Sequence, residues 1–81
     1  MADKLQGRVS AIRGAVVDVT FAHGLPRIND ALAISREDGS SLLAEVQAHL
    51  DDQHVRCIAL ANTSGLSRGG PVQALDGPLS V

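Results

Sequence analysis

Two histidines and two aspartates crowd one short stretch, HLDDQH at residues 49–54. Imidazole nitrogens and carboxylate oxygens are both ligands for a divalent metal such as zinc. If Asp51 and Asp52 form a two-residue turn, His49 and His54 face each other with both carboxylates nearby. Yet both histidines fall on the polar parity of their segments, and spacing fixes no third protein ligand. The expectation is solvated side chains and no metal. His23 stands apart from both.

A second stretch, TSGLSRGG at 63–70, raises phosphate chemistry, because glycine-rich backbone beside an arginine can cradle an anion. A phosphate-binding P-loop needs GxxxxGK[ST] between a strand and a helix. Here no Lys-Ser/Thr pair follows the glycines, and Pro71 leads into strand-like sequence. The stretch therefore reads as a tight turn. Gly65 and Gly69 or Gly70 supply unusual φ angles, and Leu66 tucks into the core.

Cys57 is a nucleophile only if a neighbouring cation or histidine lowers its pKa. Its parity points inward, which makes it a buried apolar filler. Asp18 sits among valines on the outward parity, so it pairs with a cation or caps the loop beyond. Arg8 and Arg13, like Glu37 and Asp38, read as solvated edge and turn charges. Spacing fixes no Ser/His/Asp set and no carboxylate pair, so no catalytic or cofactor-binding residue is expected in this chain.

The elements that carry these residues are strands. GRVSAIR (7–13) runs through Gly14 into AVVDVTF (15–21), where Val17, Val19 and Phe21 alternate with Asp18 and Thr20. Gly14 marks a tight hairpin turn. AHGLPRIND (22–30) is a loop that Leu25 and Ile28 pin down. ALAIS (31–35) is a short strand, and REDGS (36–40) turns on Asp38-Gly39.

LLAEVQAHL (42–50) alternates Leu42, Ala44, Val46, Ala48 and Leu50 against polar or outward neighbours. HVRCIAL (54–60) places Val55, Cys57 and Ala59 on one parity. A two-residue turn sets Ala48 opposite Val55, Val46 opposite Cys57 and Ala44 opposite Ala59. A four-residue loop over 51–54 shifts the pairing by two and keeps the same residues inward. Leu, Ala, Glu and Gln in 42–50 all favour helix, but the alternation over that segment outweighs them. NTSGLSRGG (62–70) is a loop, PVQAL (71–75) a strand, and Asp76-Gly77 a turn before PLSV. Close-spaced short strands without a long amphipathic helix indicate a small all-β barrel or sandwich.

The 81 residues fit one domain (1–81), with 44% apolar and only 1% aromatic residues, so the core is aliphatic apart from Phe21. Seven Lys and Arg against nine Asp and Glu give a net charge of −2. Nucleic-acid binding calls for a concentrated positive surface or aromatic stacking platforms, and neither is present. One cysteine forms no internal disulfide, and no stretch reaches the ~20 apolar residues of a spanning helix. The apolar PLSV end suggests a piece of a longer protein.

In order, GRVSAIRGAVVDVTF, LPRINDAL, EVQAHL, VRCIALANTSGLSRGGPV and GPLSV resemble the amino-terminal β-barrel domain of the rotary (F-type) ATP synthase β subunit. The resemblance runs from about Gly7 to Val81. Its most specific pieces are Gly14 to Val19, Leu25-Pro26, and Val55-Arg56 through Gly65-Leu66 to Arg68-Gly69. QALDGPL (73–79) departs from the family's DTGAPI pattern, with Ala74 in place of its acidic residue and Asp76 in place of its glycine. Pro78 keeps its position.

The resemblance implies a six-stranded closed barrel. Its structural core and turn residues are Gly14, Val17, Val19, Val46, Val55, Cys57, Gly65, Leu66 and Gly69. It implies a place in a crown of six barrels, flanked by α subunits in a hexameric ring and far from the membrane. The catalytic domain that binds ATP or ADP with Mg would follow in the parent chain, which couples proton or other ion transport to ATP synthesis. That parent sits peripherally on the cytoplasmic side of a bacterial inner membrane. Two other readings stand beside it: the equivalent barrel of a related rotary or secretion ATPase, and a free-standing barrel that binds an oligonucleotide or metabolite.

Overall fold

Alternation gives each strand one face to bury, and six strands use that face to enclose a common interior. A computed structural model describes residues 5–75 and residue 77. The strands are β1 (Gln6–Arg13), β2 (Val16–Phe21), β3 (Ala31–Ser35), β4 (Ser41–His49), β5 (His54–Ala59) and β6 (Pro71–Ala74). They close in the order β1-β2-β5-β4-β3-β6, every neighbouring pair antiparallel. Among the described residues no helix is long and apolar enough to cross a membrane. The expected turn at Asp76 and the PLSV end lie outside the described residues.

The β1–β2 connection shows how sequence sets register. Arg13 pairs with Val16, leaving Gly14 and Ala15 as a two-residue turn. Gly14 has φ 56°, a left-handed value that favours glycine at the first central position of such a turn. Val17, Val19 and Phe21 consequently point inward, where they are essentially buried. They meet Leu32 and Ile34 of β3, Leu42, Ala44 and Val46 of β4, Val55 and Cys57 of β5, and Val72 and Ala74 of β6. Each fully buried Val, Leu, Ile or Phe contributes about 1.5–3 kcal/mol relative to exposure.

Two bulges interrupt this alternation. On β1, Val9 pairs with Val19 and Ala11 with Asp18, so Ser10 is an extra residue. The slip turns both Val9 and Ile12 toward the interior, although they lie on opposite parities. On β4, Val46 pairs with Cys57 but Ala48 pairs with Arg56, which makes Gln47 the extra residue.

The Gln47 bulge corrects the expected hairpin. Ala44 does stand opposite Ala59 and Val46 opposite Cys57. Ala48, expected opposite Val55, stands one position short of it opposite Arg56, and His49 takes that place. One added residue exchanges the faces of everything after it. Leu50, expected inward, is accordingly 44% exposed. Ile28, expected to pin the 22–30 loop, is also exposed, while Leu25 packs against the core and Pro26 is buried.

A row of unpaired strand backbone would need cover from a neighbour, but β6 pairs with both β1 and β3, so the sheet closes with no open edge among the described residues.

Candidate functional site

The histidines expected to face each other do not meet. After the bulge, the His49 ring lies near the 22–30 loop, and its Nε2–H donates to the Pro26 carbonyl at 2.7 Å. The His54 Nδ1–H donates to Asp51 at the β4–β5 turn, 2.8 Å from Oδ1. That carboxylate also accepts the Gln53 N–H, and the two bonds, Gln53 first, hold the Asp51 pKa below its ordinary value. Each imidazole therefore has its own local partner. Among the described residues no three His, Cys, Asp or Glu side chains gather as a metal site.

The glycine-rich loop uses its backbone to stay in place. Gly65 and Gly69 have φ 83° and 80°, and Leu66 packs against the core. Ser64 N–H donates to the Asn62 side chain, Leu66 N–H to Thr63, Gly69 N–H to Val9 and Gly70 N–H to Ser67. An anion-binding nest needs such donors free and converging, and these four are taken up by the protein itself. Thr63 Oγ1 donates to the Gly14 carbonyl at 2.9 Å, tying the loop to the first hairpin.

Arg36 holds the other side of this loop, a role nothing local in REDGS signals. Its Nη2 donates to the Asn62 carbonyl at 2.9 Å and its Nη1 to Ser40 Oγ at 3.3 Å. The Arg36 stem packs beside Gly65, and the Glu37 N–H donates to the Gly65 carbonyl. Within the turn, Asp38 accepts both the N–H and the hydroxyl of Ser40, and these bonds lower its pKa.

Cys57 is fully buried in the barrel. Burial, and then the nearby charge of Asp18, pushes its thiol up to about 12. At neutral pH it is a protonated filler and not a thiolate nucleophile. Asp18 faces outward from β2 and meets Arg56 directly opposite on β5. Arg56 Nε donates to Oδ1 at 3.0 Å and Nη2 to Oδ2 at 3.2 Å, a two-pronged pair that raises the Arg56 pKa. This is the cation partner anticipated for Asp18, and it staples two adjacent strands.

The outer surface carries a groove of about 740 Å³ across β3, β6 and β1. Arg8, His23, Gln6, Gln73, Ser35 and Ser41 are among its lining. Arg8 Nη1 donates to the Gly69 carbonyl at 3.0 Å, which fixes the guanidinium at the groove.

Comparison with known proteins agrees with this architecture. The family model described as the ATP synthase alpha/beta family, beta-barrel domain, matches residues 9–76. ATP synthase subunit beta 3 of Paraburkholderia xenovorans is 57% identical over 81 residues, covering 99% of this chain and 16% of that protein. ATP synthase subunit beta 2 of Burkholderia thailandensis is 55% identical over 76 residues, covering 93% of this chain and 15% of its own length. The corresponding protein of Burkholderia pseudomallei is 55% identical over 76 residues, with 93% and 14% covered. The chain thus spans about a sixth of the length of these relatives. Its closed six-stranded barrel and its match over nearly the whole chain place it in the ATP synthase alpha/beta family, as the β-barrel domain.

Proposed function

We propose that this chain is the amino-terminal assembly domain of a catalytic ATP synthase β subunit, one barrel in a crown of alternating α and β subunits. In this reading the barrel is structural and has no turnover of its own. The remainder of the parent chain binds ATP or ADP with Mg and performs synthesis or hydrolysis, coupled to proton or other ion transport. The parent complex lies on the cytoplasmic side of a bacterial inner membrane. The barrel itself touches neither lipid nor nucleic acid.

The supporting observation is where the barrel's polar groups point. Asp18 binds Arg56, Arg36 binds the 60–70 loop, and the N–H groups of Ser64, Leu66, Gly69 and Gly70 bind the protein. These contacts fix a frame, as expected of a part that holds position while neighbouring domains move. The test is to graft residues 1–81 in place of the matching segment of ATP synthase subunit beta 3 from Paraburkholderia xenovorans. The expected outcome is an assembled, ATP-hydrolysing head, with no hydrolysis by the 81-residue chain alone. Turnover by the short chain, or a graft that fails to assemble, would overturn the proposal.

A further inference from the structure

The β3–β4 turn carries an Asp-Gly pair, Asp38-Gly39, and both residues are exposed. Such a pair has a chemistry of its own. The glycine backbone nitrogen attacks the aspartate carboxyl carbon, since no side chain on glycine obstructs the approach. A C–N bond forms, and one carboxyl oxygen leaves as water with the acid proton and the glycine amide proton. Water then reopens the five-membered imide. Opening at the former backbone carbonyl leaves the chain running through the aspartate side chain, an isoaspartate with one extra methylene in the backbone. The water lost is regained, so the mass is unchanged and no other reactant is consumed.

Both reacting groups are occupied in this turn. Asp38 Oδ1 accepts the Ser40 N–H at 2.9 Å and the Ser40 hydroxyl at 2.7 Å. The Gly39 N–H, the nucleophile's own proton, donates to the Arg36 carbonyl at 3.0 Å. Because the leaving oxygen departs as water, the neutral acid is the reactive form, and donors aimed at a carboxylate favour its ionised form. The Ser40 hydroxyl, and then its N–H, hold the Asp38 pKa below its ordinary value. Ser40 is itself fixed, since its carbonyl accepts the Arg36 N–H at 2.8 Å.

We propose that Asp38-Gly39 is a latent isomerisation site that Ser40 keeps unreacted, and that its conversion to isoaspartate releases the 60–70 loop. The second part follows from what this turn holds. Arg36 Nη2 donates to the Asn62 carbonyl, and the Glu37 N–H donates to the Gly65 carbonyl. An added methylene between residues 38 and 39 lengthens the span from Arg36 to Ser40 and displaces both anchors.

The test incubates the 81-residue chain, Ser40→Ala, Ser40→Thr and Arg36→Lys at mildly acidic pH, in buffer and in denaturing urea. Isoaspartate at residue 38 is read by electron-transfer fragmentation of tryptic peptides. Cleavage after Arg36 and Arg68 separates it from the chain's other Asp-Gly pair, Asp76-Gly77. In buffer, Ser40→Ala is expected to convert about threefold faster than the unsubstituted chain. In urea the two should converge on one faster rate. Ser40→Thr keeps the hydroxyl and should stay slow, as should Arg36→Lys, which leaves the Asp38–Ser40 bonds intact. Converted Ser40→Ala should be cut near Arg68 sooner than the same variant before incubation. Equal rates for the unsubstituted chain and Ser40→Ala in buffer would overturn the role of Ser40. So would an unsubstituted chain that converts as fast in buffer as in urea. Conversion without added cleavage near Arg68 would overturn the release of the loop.

Discussion

Gly7 of β1 stands directly opposite Phe21 of β2, and the phenyl ring fills the space a side chain at residue 7 would need. A Cβ there would lie 2.9 Å from Cδ1 and Cε1 of the ring and 2.5 Å from the Thr20 carbonyl oxygen. The chain's single aromatic residue thus covers a strand glycine, a pairing that packs the ring against bare backbone. Gly7→Ala is expected to cost about 1–3 kcal/mol, seen as a lower urea midpoint. Shrinking the ring with Phe21→Leu in the same chain should not rescue it, because the backbone oxygen still blocks the methyl. Full recovery in that double variant would show that the ring alone sets the constraint.

Cys57 gives the barrel an alkaline limit. Burial raises its thiol from 9.0 to about 12 in the folded state. Between those values the unfolded chain has released a proton that the folded chain keeps. Stability therefore holds below about pH 9 and falls as pH rises toward 12, by up to about 1.4 kcal/mol per pH unit. Cys57→Ala should flatten that decline at a cost of about 1 kcal/mol near neutrality. Urea unfolding at pH 7 and pH 10 reads both effects, and an equally steep decline in the variant would rule out the cysteine as its source.

His49 latches the 22–30 loop through the Pro26 carbonyl. His49→Ala should cost about 1 kcal/mol and speed amide exchange in that loop. The Asn29 N–H, bonded to the Val46 carbonyl at 2.8 Å, is the reporter. Unchanged protection at Asn29 would mean that the loop is held by its backbone bonds and Leu25 without the ring.

Arg36 makes two bonds that a lysine cannot reproduce, because only the guanidinium reaches Ser40 and Asn62 in fixed directions. Arg36→Lys and Arg36→Ala are both expected to loosen the 60–70 loop, the latter costing about 1–2 kcal/mol. Limited proteolysis should cut first near Arg68. Wild-type resistance in both variants would assign the loop's order to Thr63 and Val9 instead.

Much of the barrel is legible because the strands are strongly patterned. Val17, Val19 and Phe21, and likewise Val55, Cys57 and Ala59, reveal their inward face by alternation alone. The Gln47 bulge is not legible, since the alternation of 42–50 runs unbroken through Leu50 and an inserted residue leaves no mark on composition. Ser10 left a faint mark, with Val9 and Ile12 apolar on opposite parities. The choice between barrel and sandwich depends on β6 reaching β1, and Gln6 and Gln73 are too distant in sequence for local pattern to report it. The same distance hides the loop anchor at Arg36 and the identity of the cation beside Asp18. Local chemistry could show that Asp18 wanted a partner, and only the strand order supplied Arg56.

The seam between the first and last strands has a mechanical meaning. Gln6 lies opposite Gln73, so a load drawn between the two ends of the barrel would peel β1 from β6 one bond after another, as a zip opens. The backbone bonds between Val9 and the Gly69-Gly70 segment then act as the stop beyond the last paired tooth.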